Sequence, residues 1–415
     1  MNNLSHPFQR VERTSKSISR RAQKTGLFIL FLSLTLVISQ CGSKNSRSVD
    51  PVETKSKSTY YEKGLAYYMK STPKDYLRAF KFFKKSISKS PKFPEAYAMI
   101  SLTYSRIGQV FFLRKKKPTA YRYYQSALRY AFYSLKLKKN LSKGYVALAL
   151  YARQMQKHDQ AIRFSKKAIA LDHREFEGYA ILGDCYHPLF FDSSSNFKKS
   201  LRYYKKSLSI SPDFIQARYN LSLLYFFNEN YSESLVQLNK ALQTNPGIPS
   251  FHYYISLSHK GLNHYPQALS SIQKAIGLHP QNAYYYSLKG QILYQMGEVY
   301  KAVRAYKKAI SLNRNAAPFY YHIGLAYNRI KQKLLSIRFY RKAIELDPKY
   351  DLPHYALAVL LDQGECYRLA IKEYTIFLDL TDFGSLYKKA EKRVKYLKER
   401  LKGKTLKSKG NDQVE

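Results

Sequence analysis

His252 and His259 stand seven residues apart, a spacing that places two imidazoles on one face of a helix. Two imidazoles so placed are half of a metal site. No third ligand accompanies them in the sequence. His264 falls in a turn signal, His322 and His354 are isolated, and the acids are scattered, often at helix ends as in ELDP. Both histidines fall at positions the surrounding pattern uses for packing, so they read as core residues and no metal is expected. Cys185 and Cys366 have no CxxC or Cys/His neighbourhood and read as buried, unreactive thiols. Their separation argues against a disulfide, which needs Cα atoms within about 7 Å. The chain has no Gly-rich phosphate loop, no HExxH and no GxSxG, so neither an enzyme nor a cofactor site is expected.

The elements that would position such residues follow a fixed beat. Gly324 follows Gly290, Tyr340 follows Tyr306 and Ala343 follows Ala309, each by 34 residues. Self-similarity at that period predicts stacked helical hairpins, none able to bury its apolar face alone. Unit starts fall at Ser142, Phe176, Ile215, Pro249, Ala283, Ala317 and Asp351. A closing proline recurs as Pro91, Pro212, Pro246, Pro280 and Pro348. Proline cannot continue a helix and restricts the residue before it. The units cover roughly residues 57–382 and leave no room for a separate catalytic domain.

Within one unit, Tyr320, Ile323, Gly324 and Tyr327 precede Ser336, Tyr340, Ala343 and Pro348. This resembles the tetratricopeptide repeat, W-x2-L-G-x2-Y…A-x3-F…P, with Tyr in the Trp place. The resemblance implies an all-α fold: a right-handed superhelical solenoid of about nine hairpins. Residues 383–402 read as a capping helix with a Leu386, Ala390, Val394, Leu397 stripe, and residues 403–415 as a disordered basic tail. The second unit carries an extra stretch around QVFFLRKKKPTAYR and the fourth carries HPLFFDSSSN. Insertions in a solenoid map to loops on one face, often the binding face. Plain loop drift is the alternative.

In the family fold the first helices line a concave groove. The fifth residues of five consecutive units are Tyr219, Tyr253, Ser287, Tyr321 and Tyr355. Inner positions nearby hold Tyr284, Tyr294, Asn328 and Arg329, with Phe226 and Phe227. Tyr and Arg dominate interaction hot spots. The resemblance therefore implies that Tyr219, Tyr253, Tyr284, Tyr294, Tyr321, Asn328, Arg329 and Tyr355 grip a protein segment. The competing reading is compositional, since the chain has 40 Tyr and some would pack between units. Family members that clamp C-terminal carboxylates use Lys and Asn on these helices. The fifth positions here are Tyr, Ser or Val146, so that clamp is not carried over.

The N-terminus bears on location. Arg10, Arg13, Lys16, Arg20, Arg21 and Lys24 precede the apolar run Leu27–Ser39. That run is shorter than the roughly 20 residues of a spanning helix, and its basic flank marks a signal peptide over residues 1–40. Ile38-Ser39-Gln40-Cys41 resembles a bacterial lipobox, with Gln40 departing from the usual Gly, Ala or Ser. The resemblance implies lipidation at Cys41, with acyl chains such as palmitate. Residues 41–56 would form a flexible tether. Acyl chains contribute about 0.8 kcal/mol per buried CH2. An uncleaved signal anchor is the alternative.

Lys+Arg total 71 against 28 Asp+Glu, a net charge of +43. Such a surface concentrates anionic partners. An exported chain would meet anionic envelope polymers rather than nucleic acid, although much of the charge lies on second helices expected to face solvent. These features predict a lipid-anchored interaction scaffold in a bacterial cell envelope, at the periplasmic face or cell surface. A glycan or peptidoglycan binder, or a regulatory subunit of an envelope enzyme or secretion complex, are the other readings.

Overall fold

The computed structural model describes residues 57–187, 194–382 and 384–411. The signal segment, Cys41, the tether and most of the fourth unit's insertion lie outside the described residues. All regular structure among the described residues is helical. Nine hairpins follow one another: α1 (Lys57–Met69) with α2 (Pro73–Lys89), α3 (Pro94–Leu113) with α4 (Lys117–Leu137), α5 (Ser142–Gln154) with α6 (His158–Leu171), α7 (Phe176–Cys185) with α8 (Ser194–Ile210), and α9 (Ile215–Phe227) with α10 (Tyr231–Thr244). Then come α11 (Pro249–Gly261) with α12 (Tyr265–Leu278), α13 (Ala283–Gln295) with α14 (Val299–Leu312), α15 (Ala317–Arg329) with α16 (Lys333–Leu346), and α17 (Asp351–Gln363) with α18 (Tyr367–Leu380). A last helix, α19 (Ser385–Asn411), follows. All seven unit starts read from the sequence are first residues of helices. The chain clusters into two compact bodies. One holds residues 57–264 with 277–279, the other residues 265–276 with 280 onward.

Where the turn inside a hairpin is described, it repeats in backbone geometry, not in residue type. Gln156, Glu229, Asn263, Gly297, Lys331 and Glu365 all have φ between 59° and 84°. The last five are 34 residues apart. This left-handed residue ends the first helix in a Schellman motif. Gln332 N–H donates to Tyr327 O at 2.9 Å, and Cys366 N–H to Leu361 O at 2.9 Å. Only Gly297 among them is a glycine, so most of these turns carry a non-glycine cost that the motif's hydrogen bonds offset.

Hairpin closure depends on small residues. A Cβ on Gly324 would lie 2.5 Å from Tyr340 Cε1, and one on Gly290 would lie 2.5 Å from Tyr306 Cε1. The same contact joins Gly64 to Phe83, Gly108 to Tyr124 and Gly183 to Tyr204, at 2.5–2.6 Å. The ring of the second helix abuts the backbone of the first, where any side chain would collide. Ser336 Oγ adds a hydrogen bond to Gly324 O at 2.8 Å. Where the first helix has Ser222 or Ser256 instead, the ring's register position holds Leu238 or Ile272.

Three expectations change. The second unit's insertion is not a loop: it lengthens α3 to 20 residues and α4 to 21. Helix α19 continues to Asn411, beyond Lys402 where the sequence suggested an end to order. Cys366 is exposed rather than buried, because it follows the left-handed Glu365 at the hairpin turn. Cys185 is buried as expected, and burial pushes its thiol up to about 12. The α19 stripe also holds. Ala390, Val394 and Leu397 are buried and Leu386 packs against the same cluster, while Arg393 forks onto Asp362 at 2.6 and 2.8 Å.

Gly324→Ala should destabilise the C-terminal body by about 1–3 kcal/mol in chemical denaturation, although alanine is the better helix former by about 1 kcal/mol. Adding Tyr340→Leu should recover part of that loss. A strictly additive double mutant would mean that the ring contact is not the cause.

Candidate partner-binding faces

In the N-terminal body the first helices meet through ion pairs. Glu177 opens α7 beneath α3 and α5 and is 1 % exposed; Arg106 of α3 is 5 % exposed. Tyr68 O–H donates to Glu177 Oε2 at 3.2 Å. Lys143 Nζ lies 2.7 Å from Glu175 Oε1, whose Oε2 accepts from Ser142 Oγ at 3.2 Å. Arg153 Nε lies 2.9 Å from Asp184 Oδ2. Asp184 Oδ1 accepts from Tyr204 O–H at 2.7 Å and from Asn220 Nδ2 at 2.6 Å. Burial raises the Glu177 carboxyl above its usual range, against the lowering pull of Lys143 and Arg106. For Lys143 burial opposes the charge, but Glu175 and Glu177 outweigh it and hold the pKa above the ordinary lysine value. Burial, with Arg153 nearby, pushes His187 down to about 3.

The tip of the first hairpin lies against this face. Met69 packs with the cluster of Phe214, Ala217 and Leu221, and Lys70 O accepts from Asn245 Nδ2 at 3.1 Å. Arg106, Lys143 and Arg153 thus face internal carboxylates. Chemically, the face knits hairpins together.

The tyrosine wall read from the sequence is only partly present. Tyr219 is 1 % exposed and packs on Phe251 and Tyr254 at 5.4 and 5.9 Å. Tyr321 is 8 % exposed and packs on Tyr340 and Tyr350 at 5.9 and 5.5 Å. Both are core residues, because aromatic side chains from neighbouring elements close over them. Tyr253 is half-buried, edge-on to Tyr254 at 5.3 Å. Tyr355 is half-buried against Tyr374 and Phe377. Tyr284 is exposed and edge-on to Phe319 at 5.3 Å.

One predicted pair does come together. The Arg329 guanidinium of α15 lies 4.8 Å over the Tyr294 ring of α13, and its Nη1 donates to Tyr294 O at 2.8 Å. Arg329 is exposed, with half-buried Asn328 beside it. A cation held over an aromatic face is a stiff, amphipathic contact surface. Burial raises the Tyr294 hydroxyl, with Arg329 opposing.

Sequence reasoning missed the ion pairs. A trace was legible in register, since Lys143 and Glu177 are both second residues of their units, with opposite charge, although the direct partner of Lys143 is Glu175. It also missed His354, 3 % exposed, with Nδ1 2.7 Å from Glu373 Oε2 and Nε2 3.1 Å from Pro348 O. Two acceptors at the two ring nitrogens favour the doubly protonated ring. Burial lowers its pKa, but these hydrogen bonds prevail and the net direction is upward. His252 Nε2 lies 3.3 Å from Pro246 O, and His259 sits 6.0 Å from His264 between ring centres.

Tetratricopeptide-repeat family models match residues 142–173, 215–247 and 317–350, and a further TPR-repeat model matches 290–330. The matched stretches fall on the third, fifth, seventh and eighth hairpins and show tetratricopeptide repeats there. No curated protein matches the chain. Among solved structures, the Cut9–Hcn1 hetero-tetramer of APC/C is similar at 13 % identity over 82 % of this chain and 76 % of that one, with a TM-score of 0.50. Yeast Tom70 matches at 14 % identity over 100 % and 79 %, TM-score 0.48. MamA matches at 26 % identity over 37 % and 91 %, TM-score 0.35. The Cut9–Hcn1 likeness concerns the fold alone.

Arg106→Ala should cost about 1–3 kcal/mol of N-terminal stability, because the buried Tyr68–Glu177 hydrogen bond then loses its neighbouring cation. A loss below about 1 kcal/mol in urea titration would count against the network. The raised His354 pKa sets a second test. Its stabilisation is full below the unfolded pKa of about 6.5 and is lost as pH rises through the folded value. The C-terminal body should therefore melt lower at about pH 9 than at pH 6, and His354→Gln should flatten that difference.

Proposed function

We propose that the chain is a membrane-tethered interaction scaffold of a bacterial cell envelope, and that its C-terminal body captures a protein segment on its first-helix face. The observation that carries the capture reading is the Tyr294–Arg329 pair. It bridges consecutive hairpins and sets a guanidinium over a ring, with Asn328, Tyr284 and Tyr355 on the same set of first helices. Tyr and Arg contribute most at interfaces because they are large, bury area with little loss of rotamer freedom and end in a polar group. The tether reading rests on sequence alone: the basic flank, the short apolar run and Cys41. Acyl chains at Cys41 would hold the array at a membrane, and the Ser/Lys-rich segment would let it stand off. The internally neutralised face of the N-terminal body is assigned to stability rather than capture.

Crosslinking in native membranes followed by mass spectrometry tests both halves. A mature chain that begins at an acylated Cys41 and carries reproducible crosslinks near Tyr294 and Arg329 is the expected result. An unprocessed N-terminus would remove the lipid anchor. Tyr294→Ala with Arg329→Ala should lower partner recovery roughly tenfold or more in a chain that keeps its helical content, since Tyr294 also packs against its own hairpin. Unchanged recovery would refute the capture site.

A further inference from the structure

The seventh residue of a unit is a core position. It holds Ile100, Leu148, Leu182, Leu221, Ile255, Ile323 and Leu357, all 0–6 % exposed. The first hairpin has Lys63 there, which is exposed. The seventh hairpin alone breaks the rule inside the array, with half-buried Lys289. A lysine at such a site forfeits packing and desolvates an ammonium group, a local violation of the kind that marks functional sites.

Around Lys289 the packing opens into a cleft of about 390 Å³ between α12 and α14, floored by α13. Its lining includes Lys301, Arg304 and Lys308 on one face of α14, with Gln273, Tyr286 and Glu298. Four cations face one acid. Glu298 is taken by Lys301, at 2.5 Å. Among the described residues, no carboxylate lies within ion-pair distance of Lys289, Arg304 or Lys308. Apolar walls from Leu269 and Leu293, together with the Tyr286 side chain, complete the cleft.

We propose that this cleft is a binding site for a small diphosphate-bearing ligand, with Lys289, Arg304 and Lys308 as its charge contacts. Three uncompensated positive charges in so small a volume call for compact negative charge. A phosphomonoester carries about −1.5 to −2 at neutral pH, so two phosphate groups suffice where three separate carboxylates would be needed. Arg304 suits bidentate contact with phosphate oxygens, and the two ammonium groups act as point charges. The cleft volume falls in the roughly 300–1,000 Å³ range of small-molecule sites. The ligand can be a free diphosphate or a phosphorylated lipid headgroup, since the recognising chemistry is shared.

The test is calorimetric titration of the full-length chain with inorganic pyrophosphate. Saturable one-to-one binding is expected. Lys289→Leu restores the residue type of the other hairpins, should fold at least as well, and should weaken binding roughly tenfold or more. Arg304→Gln with Lys308→Gln should do the same, while Lys307→Gln, an exposed cation on the same helix outside the cleft, should leave it unchanged. Absence of saturable binding overturns the site. So does equal weakening by Lys307→Gln, which would mean general surface charge, or unchanged binding in Lys289→Leu. Competition by vesicles containing a lipid with a diphosphate headgroup would assign the ligand to a lipid headgroup, and its absence would assign it to a free diphosphate.

Discussion

Five of the nine hairpins close through one contact, the ring of the second helix against the backbone of the first. A glycine there removes the Cβ that would collide at about 2.5 Å with Phe83, Tyr124, Tyr204, Tyr306 or Tyr340. Protein interiors are packed too densely to absorb a misplaced methyl without shifting neighbours. The two sides therefore vary together: glycine with an aromatic ring, Ser222 with Leu238. The third and ninth hairpins depart from the pairing, with Ala149 in the register of Ser165 and Ala358 in the register of Tyr374. Helix separation, and through it the stacking of hairpins within each body, follows from this choice of volumes.

The same economy of space decides what the first-helix positions do. In the N-terminal body they are buried enough that ionised groups must find partners. Lys143 and Arg153 accordingly meet Glu175 and Asp184, while Arg106 sits beside Tyr68, whose hydroxyl bonds Glu177. Charges so placed are weak sources of net stability but costly to leave unpaired, so they specify which hairpin follows which. In the C-terminal body the cation at the comparable end of a first helix, Arg329, remains exposed and rests on Tyr294. It is available for contact because no internal carboxylate claims it.

The second helices carry much of the positive charge, and at most positions this is a solvated outer face. Lys289 differs because it belongs to a first helix, at a position that holds leucine or isoleucine in every other hairpin after the first. Its charge faces the cations of α14 across a cleft, where like charges repel unless an anion lies between them. The sequence contained this anomaly, visible only once the 34-residue register is laid out unit by unit.

The sequence by itself determined the number of hairpins, their first residues at Ser142, Phe176, Ile215, Pro249, Ala283, Ala317 and Asp351, and the apolar stripe of α19. Those features are local: periodicity, helix-stopping prolines and small residues act within one unit and recur in every unit. The left-handed turns were harder to read, because Glu229, Asn263, Lys331 and Glu365 share a backbone conformation without sharing a residue type. Only the tertiary structure decided which tyrosines are core and which are surface. Tyr219, Tyr253, Tyr321 and Tyr355 occupy the same place in the repeat, yet Tyr219 and Tyr321 are enclosed while Tyr253 and Tyr355 are half-buried. The difference comes from rings contributed by neighbouring elements: Phe251 and Tyr254 over Tyr219, Tyr340 and Tyr350 over Tyr321. Burial is a property of neighbours, and a repeat register names a residue's place in its own unit without naming what packs against it.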